Sequence, residues 1–503
     1  LQALGYYNPR IETARETSGD TLTCVVTVDP GPPVRITRAD FRLEGGGHDE
    51  LQEFIDTEAP RPGEVFHHGR YEAFKSRLQQ AALVRGYFDV RYARHEARVD
   101  ITRNEATLVL ELVPGARHRF GALTIEGEGL RESLLVRFPR FRAGDWYDAT
   151  LVAELHRDLV RAGWFETVRI QADPDPAGTL AVPVTLRYSL RQRNRVGLGV
   201  GASTDIGPRF KAQWEKPWLN SRGHSLSSYL EVSQVRSQLE ASYLVPLNDP
   251  VTSQLALTYG LQYEDLNDYD YWLTTAGVEH RKRLRNGWRL TRGVSLERET
   301  DDFGLFEAST TLLIPGVTLS RTESEGSPLI SRGWRAVARL QYASDLLFSD
   351  AEMLRASGNA KAIHSFGERV RGIARIGGGA MKTPDILDIP ISLRFFAGGD
   401  QSIRGYDYRS IGPEDAQGNV IGGRYNLEGS AEVDLRFAER WLAAAFIDSG
   451  TAFDDLDDTQ FFNGVGVGVR WLSPIGPLRL DFAWGVSRED TSFNLHFYMG
   501  PEL

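Results

Sequence analysis

From Arg195 to the C-terminus the sequence alternates with period two, and no stretch reaches the ~18 consecutive apolar residues that a membrane helix needs. The nearest run is Trp441-Leu-Ala-Ala-Ala-Phe-Ile447. Val251, Ser253, Leu255, Leu257, Tyr259 and Leu261 alternate with Thr252, Gln254, Ala256, Thr258 and Gly260; Leu478, Leu480, Phe482, Trp484 and Val486 alternate with Arg479, Asp481, Ala483, Gly485 and Ser487. A soluble sandwich alternates in the same way. Three features favour a barrel that crosses a membrane with strands. Apolar rows end in aromatics such as Trp334, Trp441, Trp471 and Phe497, the opposite rows carry charge, and there are about 16 such segments. At ~19 residues for each strand and turn, a membrane strand of ~10 residues fits.

Glycine alternates too. Gly197-Leu-Gly-Val-Gly201 and Gly464-Val-Gly-Val-Gly-Val469 put glycine on one face, which clears room for a segment packed against the inner wall. That segment is expected to be Arg394-Phe-Phe-Ala-Gly-Gly-Asp-Gln-Ser-Ile-Arg404-Gly-Tyr-Asp-Tyr-Arg-Ser-Ile-Gly-Pro413, too irregular for strand or helix. Gly398, Gly399 and Gly405 allow a sharp turn that holds out Arg404, with Tyr406 and Tyr408 bracing it. A guanidinium so placed needs carboxylates, and the candidates are Asp448, in Phe446-Ile-Asp-Ser-Gly450, and Glu432, which shares a strand face with Asp434 and Arg436. The arrangement serves either as a rivet or as a moving switch.

With 68 acidic and 58 basic residues the formal charge is −10, which argues against a general nucleic-acid binder. The single cysteine, Cys24, permits no intrachain disulfide and is expected to be a small buried residue of its strand. The chain opens at Leu1 without a charged, apolar leader, so any signal peptide is expected to have been removed, and the start reads as the middle of a domain.

The first 190 residues repeat. Leu4-Gly-Tyr-Tyr7, Val84-Arg-Gly-Tyr-Phe88 and Arg161-Ala-Gly-Trp-Phe165 superimpose, with glycines 81 and 77 residues apart. Helical spacing precedes the second and third, at Tyr71, Phe74, Leu78 and Ala82 and at Leu151, Leu155 and Leu159. The unit is strand, helices, glycine-aromatic turn, strand, strand. This gives a fragment at 1–32, modules at 33–115 and 116–190, and the barrel at 191–503 with a lumen loop at 397–423. Edge strands of such modules either accept an extended partner chain or merely space the barrel from a surface.

Several chemical readings fail on the sequence. Gly197-Leu-Gly-Val-Gly-Ala202 is followed by the turn Thr204-Asp-Ile-Gly-Pro208 and not by the helix a dinucleotide site needs. The Asp448-Ser-Gly450 triplet has no second copy to form a carboxylate dyad. Glu64, His67 and His68 lack a further nearby ligand, so a solvated loop is expected there. Gly223-His-Ser-Leu-Ser227 lacks the closing glycine of a nucleophile elbow. No catalytic set and no cofactor motif emerges, and a hydrolase is the weakest reading.

Gly398-Gly-Asp-Gln-Ser-Ile-Arg-Gly-Tyr406, the Phe-x-Asp-x-Gly at 446–450, Gly429-Ser-Ala-Glu432 and the ending Met499-Gly-Pro-Glu-Leu503 resemble the outer-membrane assembly barrels that carry periplasmic POTRA modules, and the N-terminal repeats resemble those modules. Within that superfamily the chain is most similar to TamA-type subunits of translocation and assembly modules. The resemblance implies α+β POTRA modules of β-α-α-β-β order followed by a 16-stranded antiparallel transmembrane β-barrel in a Gram-negative outer membrane. It implies a lateral seam between the first strand, with Gly197, Gly199 and Gly201, and the last, with Phe493, Leu495, Phe497 and Met499, where Pro501 ends pairing early. Gly399, Asp400, Arg404, Gly405 and Tyr406 form its loop motif, with Asp448 and Glu432 as loop partners. The implied role is assembly and translocation of β-barrel and autotransporter proteins. The implied partners are unfolded clients, the bilayer and a TamB-like inner-membrane-anchored protein docked on the N-terminal modules. The alternative is an export pore of the two-partner-secretion type.

Overall fold

The computed structural model describes residues 1–18, 21–45, 48–266, 269–302, 307–326, 329–455, 457, 459–473, 476–487 and 492–500. The chain divides into two compact units, one of Leu1–Glu128, Phe138–Arg161 and Phe165–Ser189, the other of Gly129–Arg137, Ala162–Trp164 and Leu190–Leu503.

In the first unit, β1 (Arg10–Ser18) and β2 (Thr21–Asp29) form a two-stranded sheet. Cys24 is exposed there, not buried as its alternating run suggests, because Val26 and Leu22 beside it are exposed as well and the sheet has no covered face among the described residues. Next come β3 (Arg35–Leu43), α1 (Asp49–Glu58), α2 (His68–Val84), β4 (Arg91–Asp100) and β5 (Glu105–Val113), whose strands order as β3-β5-β4. Strand β5 runs parallel to β3 and antiparallel to β4. Its alternate residues Ala106, Leu108, Leu110 and Leu112 are fully buried, in one core with the α2 stripe Tyr71, Phe74, Leu78 and Ala82. The helix starts where His67 Nδ1 accepts from the Arg70 N–H at 3.3 Å, and Gly86 follows its end at φ 87°. His68 Nε2 meets the Tyr7 hydroxyl at 2.5 Å, so this histidine pair caps and packs a helix where the sequence suggests a solvated loop. The same order recurs in β6 (Arg119–Glu126), the single turn α3 (Glu132–Leu135), α4 (Ala149–Arg161), β7 (Phe165–Ala172) and β8 (Ala181–Leu190), with sheet order β6-β8-β7; the turn α3 falls in the second unit.

In the second unit, sixteen antiparallel strands close a barrel. They are β9 (Arg195–Ser203), β10 (Gly207–Lys216), β11 (Ser225–Ser233), β12 (Arg236–Pro246), β13 (Ser253–Leu266), β14 (Tyr269–Arg283), β15 (Arg289–Asp302) and β16 (Glu307–Glu325). The second half is β17 (Arg332–Ala343), β18 (Met353–Phe366), β19 (Val370–Lys382), β20 (Tyr425–Ala438), β21 (Trp441–Phe453), β22 (Phe462–Ser473), β23 (Gly476–Gly485) and β24 (Ser492–Met499). Every strand pairs with its sequence neighbours, so the period of two sorts apolar from polar side chains around the whole wall. On β20, Val433, Leu435 and Phe437 are exposed on the outer face while Glu432 and Asp434 are buried on the inner one. Trp441 and Trp471 stack on the outside with ring centroids 5.9 Å apart. No helix among the described residues is long and apolar enough to cross a membrane.

Candidate functional site

The segment between β19 and β20, residues 383–424, folds into the lumen and begins earlier than the 397–423 expected from its glycines. Its first leg is apolar: Ile386, Ile389, Leu393 and Phe395 join the inward Leu312 and Ile314 of β16 in a buried cluster. Arg394, itself buried, stitches the legs by donating to the carbonyls of Ile389 (2.8 Å), Ile421 (3.1 Å) and Leu387 (3.1 Å). Gly398, Gly399 and Gly405 adopt φ of 101°, 104° and 97°, conformations that side chains resist. The turn they form delivers Arg404 to the wall.

Arg404 is 5% exposed and meets three carboxylates. Its Nε and Nη2 grip Asp448 at 2.7 and 2.9 Å, and its backbone N–H also donates to Asp448, at 3.1 Å. Its Nη1 reaches Glu432 at 2.7 Å and Asp481 at 3.1 Å. The guanidinium lies 3.4 Å from the centroid of the Phe446 ring. The network continues as Arg470 bridges Glu432 (2.8 Å) and Asp481 (2.5 Å), and Arg371 holds Asp434 at 2.6 Å. Arg375 adds two bonds to the backbone carbonyls of Gln401 and Ser402, fixing the turn from its other side. Four inward strands, β20 to β23, thus present matched charges to one loop, and each desolvated carboxylate has a guanidinium beside it.

Tyr406 and Tyr408 do not brace Arg404 itself. The Tyr406 hydroxyl donates to the Asn463 carbonyl at 3.3 Å and accepts from the Ser487 N–H at 3.2 Å, whereas the Tyr408 hydroxyl donates to Glu264 on β13 at 3.1 Å. The loop is therefore tied to opposite walls. The glycine rows divide as well. At Gly464 a Cβ would collide with the Arg404 carbonyl, so this glycine does make room for the loop. At Gly197 and Gly199 a Cβ would meet only Gln213 and Lys211 side chains, at 3.8 and 3.9 Å, so the loop is not what that row accommodates. At Gly201 it would press on Arg209 at 2.8 Å, and Arg209 uses that space to cross β9 and donate to the Met499 carbonyl at 2.6 Å.

The first and last barrel strands overlap only at their ends. Tyr498 and Ser203 are the one pair in register among the described residues, where β9 stops at Ser203 and β24 at Met499. Beyond them the Thr204 N–H donates to the Phe497 carbonyl at 3.1 Å. The seam residues named from sequence do not lie opposite one another: Gly197, Gly199 and Gly201 have no β24 partner among the described residues, and Phe493 and Leu495 run past the end of β9. Pro501 and the final Glu-Leu503 lie outside the described residues.

Sequence reasoning passed over Asp481, Arg470 and Arg371 as members of the charge network, although each sits on an inward position of its strand. It also passed over Thr204, Asp205 and His496, which meet Asp400. Thr204 Oγ1 donates to Asp400 Oδ1 at 2.8 Å, the Asp400 N–H donates to Asp205 Oδ2 at 2.8 Å, and His496 Nδ1 lies 2.7 Å from Asp400 Oδ1. Ligand atoms of Asp205, Asp400 and His496 fall within 4.8 Å of one another, as in a metal site. The Gly405 N–H, however, donates to His496 Nε2 at 2.9 Å. That fixes the imidazole proton on Nδ1, aimed at Asp400, and commits the Nε2 lone pair to the loop backbone.

Comparison with known proteins follows the same lines. The chain is 22% identical over 451 residues to outer membrane protein assembly factor BamA of Nitratidesulfovibrio vulgaris, covering 82% of this chain and 55% of that protein. It is also 22% identical to BamA of Neorickettsia risticii, covering 96% and 68%. The chain thus spans little more than half the length of the first of these relatives. Among solved structures, BamA of Haemophilus ducreyi lacking POTRA domains 1-3 superimposes with a TM-score of 0.76 at 16% identity, over 93% of this chain and 99% of that one. CdiB of Acinetobacter baumannii superimposes with a TM-score of 0.52 at 14% identity, over 93% and 90%. Residues 219–502, more than half of the chain, match the Omp85 superfamily domain. A 16-stranded barrel gripped from inside by an arginine loop, preceded by small α/β sheets, is the architecture of a Gram-negative outer-membrane protein with periplasmic modules, and the chain belongs to the Omp85 superfamily.

Proposed function

We propose that this protein assembles and translocates β-barrel and autotransporter proteins through the seam between β9 and β24, as a TamA-type factor. The observation that carries the reading is the edge of β9. From Arg195 to Ala202 its backbone has no β24 partner among the described residues, and its outward Val196, Leu198 and Val200 are 69–73% exposed. An incoming strand that alternates apolar and polar residues finds there a template of unpaired donors and acceptors, at about 1 kcal/mol for each hydrogen bond made. The strands at the seam are short, 9 residues in β9 and 8 in β24 against 19 in β16. A wall that is low on one side thins the bilayer beside it, which lowers the barrier to lateral entry of a client.

In this reading Arg404, Asp448 and Glu432 keep the lumen loop docked while the seam works, and the carboxylates serve as anchors and not as catalysts, which makes the protein non-enzymatic. The N-terminal modules offer edge strands β3, β4, β6 and β7 to an extended segment, the natural docking mode for a TamB-like inner-membrane-anchored partner. A photoreactive side chain at Val200 should capture the last strand of a reporter autotransporter during assembly, whereas the same group at the outward Val317 of β16 should not. Equal capture at both positions would refute the template. An export pore of the two-partner-secretion type, which the likeness of fold to CdiB favours, differs in giving a large, steady conductance.

A further inference from the structure

The Arg404 network anchors the loop to β20–β23, but the loop also makes a separate set of contacts, and these join the two strands that the backbone ladder leaves nearly unpaired. Asp400 Oδ1 accepts from Thr204, the first residue past β9, at 2.8 Å, and faces His496 Nδ1 of β24 at 2.7 Å. One neighbouring loop group supports each side: the Asp400 N–H donates to Asp205 on the β9 side, and the Gly405 N–H donates to His496 on the β24 side. Ser492 and Asn494, also on β24, bond the Gly405 carbonyl (2.6 Å) and Asp407 (3.2 Å). The Asp400 side chain is 3% exposed, and its Oδ2 has no hydrogen-bond partner. One oxygen therefore carries both sides of the seam.

We propose that Asp400 is the positioning residue of the closed seam: by accepting from Thr204 and His496 at a single oxygen, it makes the lumen loop the element that closes the barrel between β9 and β24. The geometry follows from the stagger of the two strands. With Tyr498 opposite Ser203, the stretch Ser492–His496 runs beyond the end of β9 and has no strand partner on that side among the described residues, so side chains from the loop fill the place of a ladder. Gly399 belongs to the same device, since a Cβ there would meet the Asp205 carboxylate at 2.7 Å. The contact itself does not depend on the functional reading above; only its consequence for clients does.

The substitutions separate the chemistry from a general loss of structure. Asp400→Ala removes the acceptor. Asp400→Asn keeps a carbonyl oxygen for Thr204 and His496 and turns an amide toward Asp205, so it is the conservative rescue. Thr204→Val removes the donor to Asp400 together with the acceptor that Thr204 Oγ1 offers the Phe497 N–H at 3.3 Å, at a turn where the risk to folding is small. In a Cys24→Ala background, spin labels at the outward Leu198 and Leu495 report the seam in the purified full chain without any client. Asp400→Ala should add a longer-distance population, Thr204→Val a smaller one, and Asp400→Asn should keep the parent distribution. A parent-like distribution in Asp400→Ala, with the barrel shown to be folded by its heat-modifiable migration, overturns the proposal, as does opening by Asp400→Asn equal to that of Asp400→Ala. If Asp400→Ala opens the seam and client assembly is unchanged, the positioning role stands and the seam-gate reading falls.

Discussion

Replacing Arg404 by alanine leaves Asp448 with neither of its guanidinium bonds, in a site where the aspartate is 0% exposed. Glu432 and Asp481 keep Arg470, so the loss concentrates on Asp448, whose remaining bond to residue 404 is the backbone N–H at 3.1 Å. Breaking a buried pair by removing one partner costs about 3–5 kcal/mol, and the dryness of this site puts it in that range and not among solvent-screened pairs. The loop has a second set of anchors on β13 and β24, so the cost should appear as undocking of the turn and not as collapse of the barrel. At 3 kcal/mol the docked-to-undocked ratio falls more than about 100-fold. A spin label at Gln401 paired with one on β21 should show a broad, long-distance population in Arg404→Ala and a single short distance in the parent. Arg404→Lys should lie between them, because one ammonium cannot span both Asp448 oxygens and Glu432. A short, sharp distance in Arg404→Ala, together with unchanged heat-modifiable migration, would refute the assignment of the loop's docking energy to this cluster.

Gly464→Ala should undock the turn to a similar extent, since its new Cβ collides with the Arg404 carbonyl, while Gly199→Ala, which meets only Lys211 at 3.9 Å, should behave as the parent in the same distance measurement. Tyr408→Phe removes the bond to Glu264 but leaves Glu264 its Tyr271 partner at 2.5 Å, so a cost of about 1 kcal/mol is expected, read as a small shift in the heat-modification midpoint. In the N-terminal unit, Leu78→Ala opens a cavity in a core where Leu78 is 0% exposed and should destabilise its module by about 2–5 kcal/mol, seen as protease cleavage between β3 and β5 with the barrel intact.

The barrel was legible because its signal is repeated: one alternation error in sixteen strands changes little when every neighbour constrains the register. The modules were legible because a helical stripe such as Tyr71, Phe74, Leu78 and Ala82 has a different period from the strands beside it. Arg404 and its carboxylates stood out because charge on an inward strand position needs a partner. Cys24 and the two histidines were misread because local pattern does not say which face is covered or which side chain reaches a helix end. The Asp400 contacts were hidden for a different reason: Thr204, Asp400 and His496 lie about 200 and 100 residues apart in sequence and meet only through the stagger of β9 against β24, which no periodicity encodes.

The central claim is that the seam between β9 and β24 is the working gate. In the Cys24→Ala background, Ser203→Cys and Tyr498→Cys place a thiol pair at the register position the two strands share among the described residues. Assembly of a reporter autotransporter is then scored with the pair oxidised and after reduction. Arrest on oxidation and recovery on reduction is the predicted result. A fully formed crosslink that leaves assembly at the reduced level would contradict the account and assign the work to a route that does not pass between these strands.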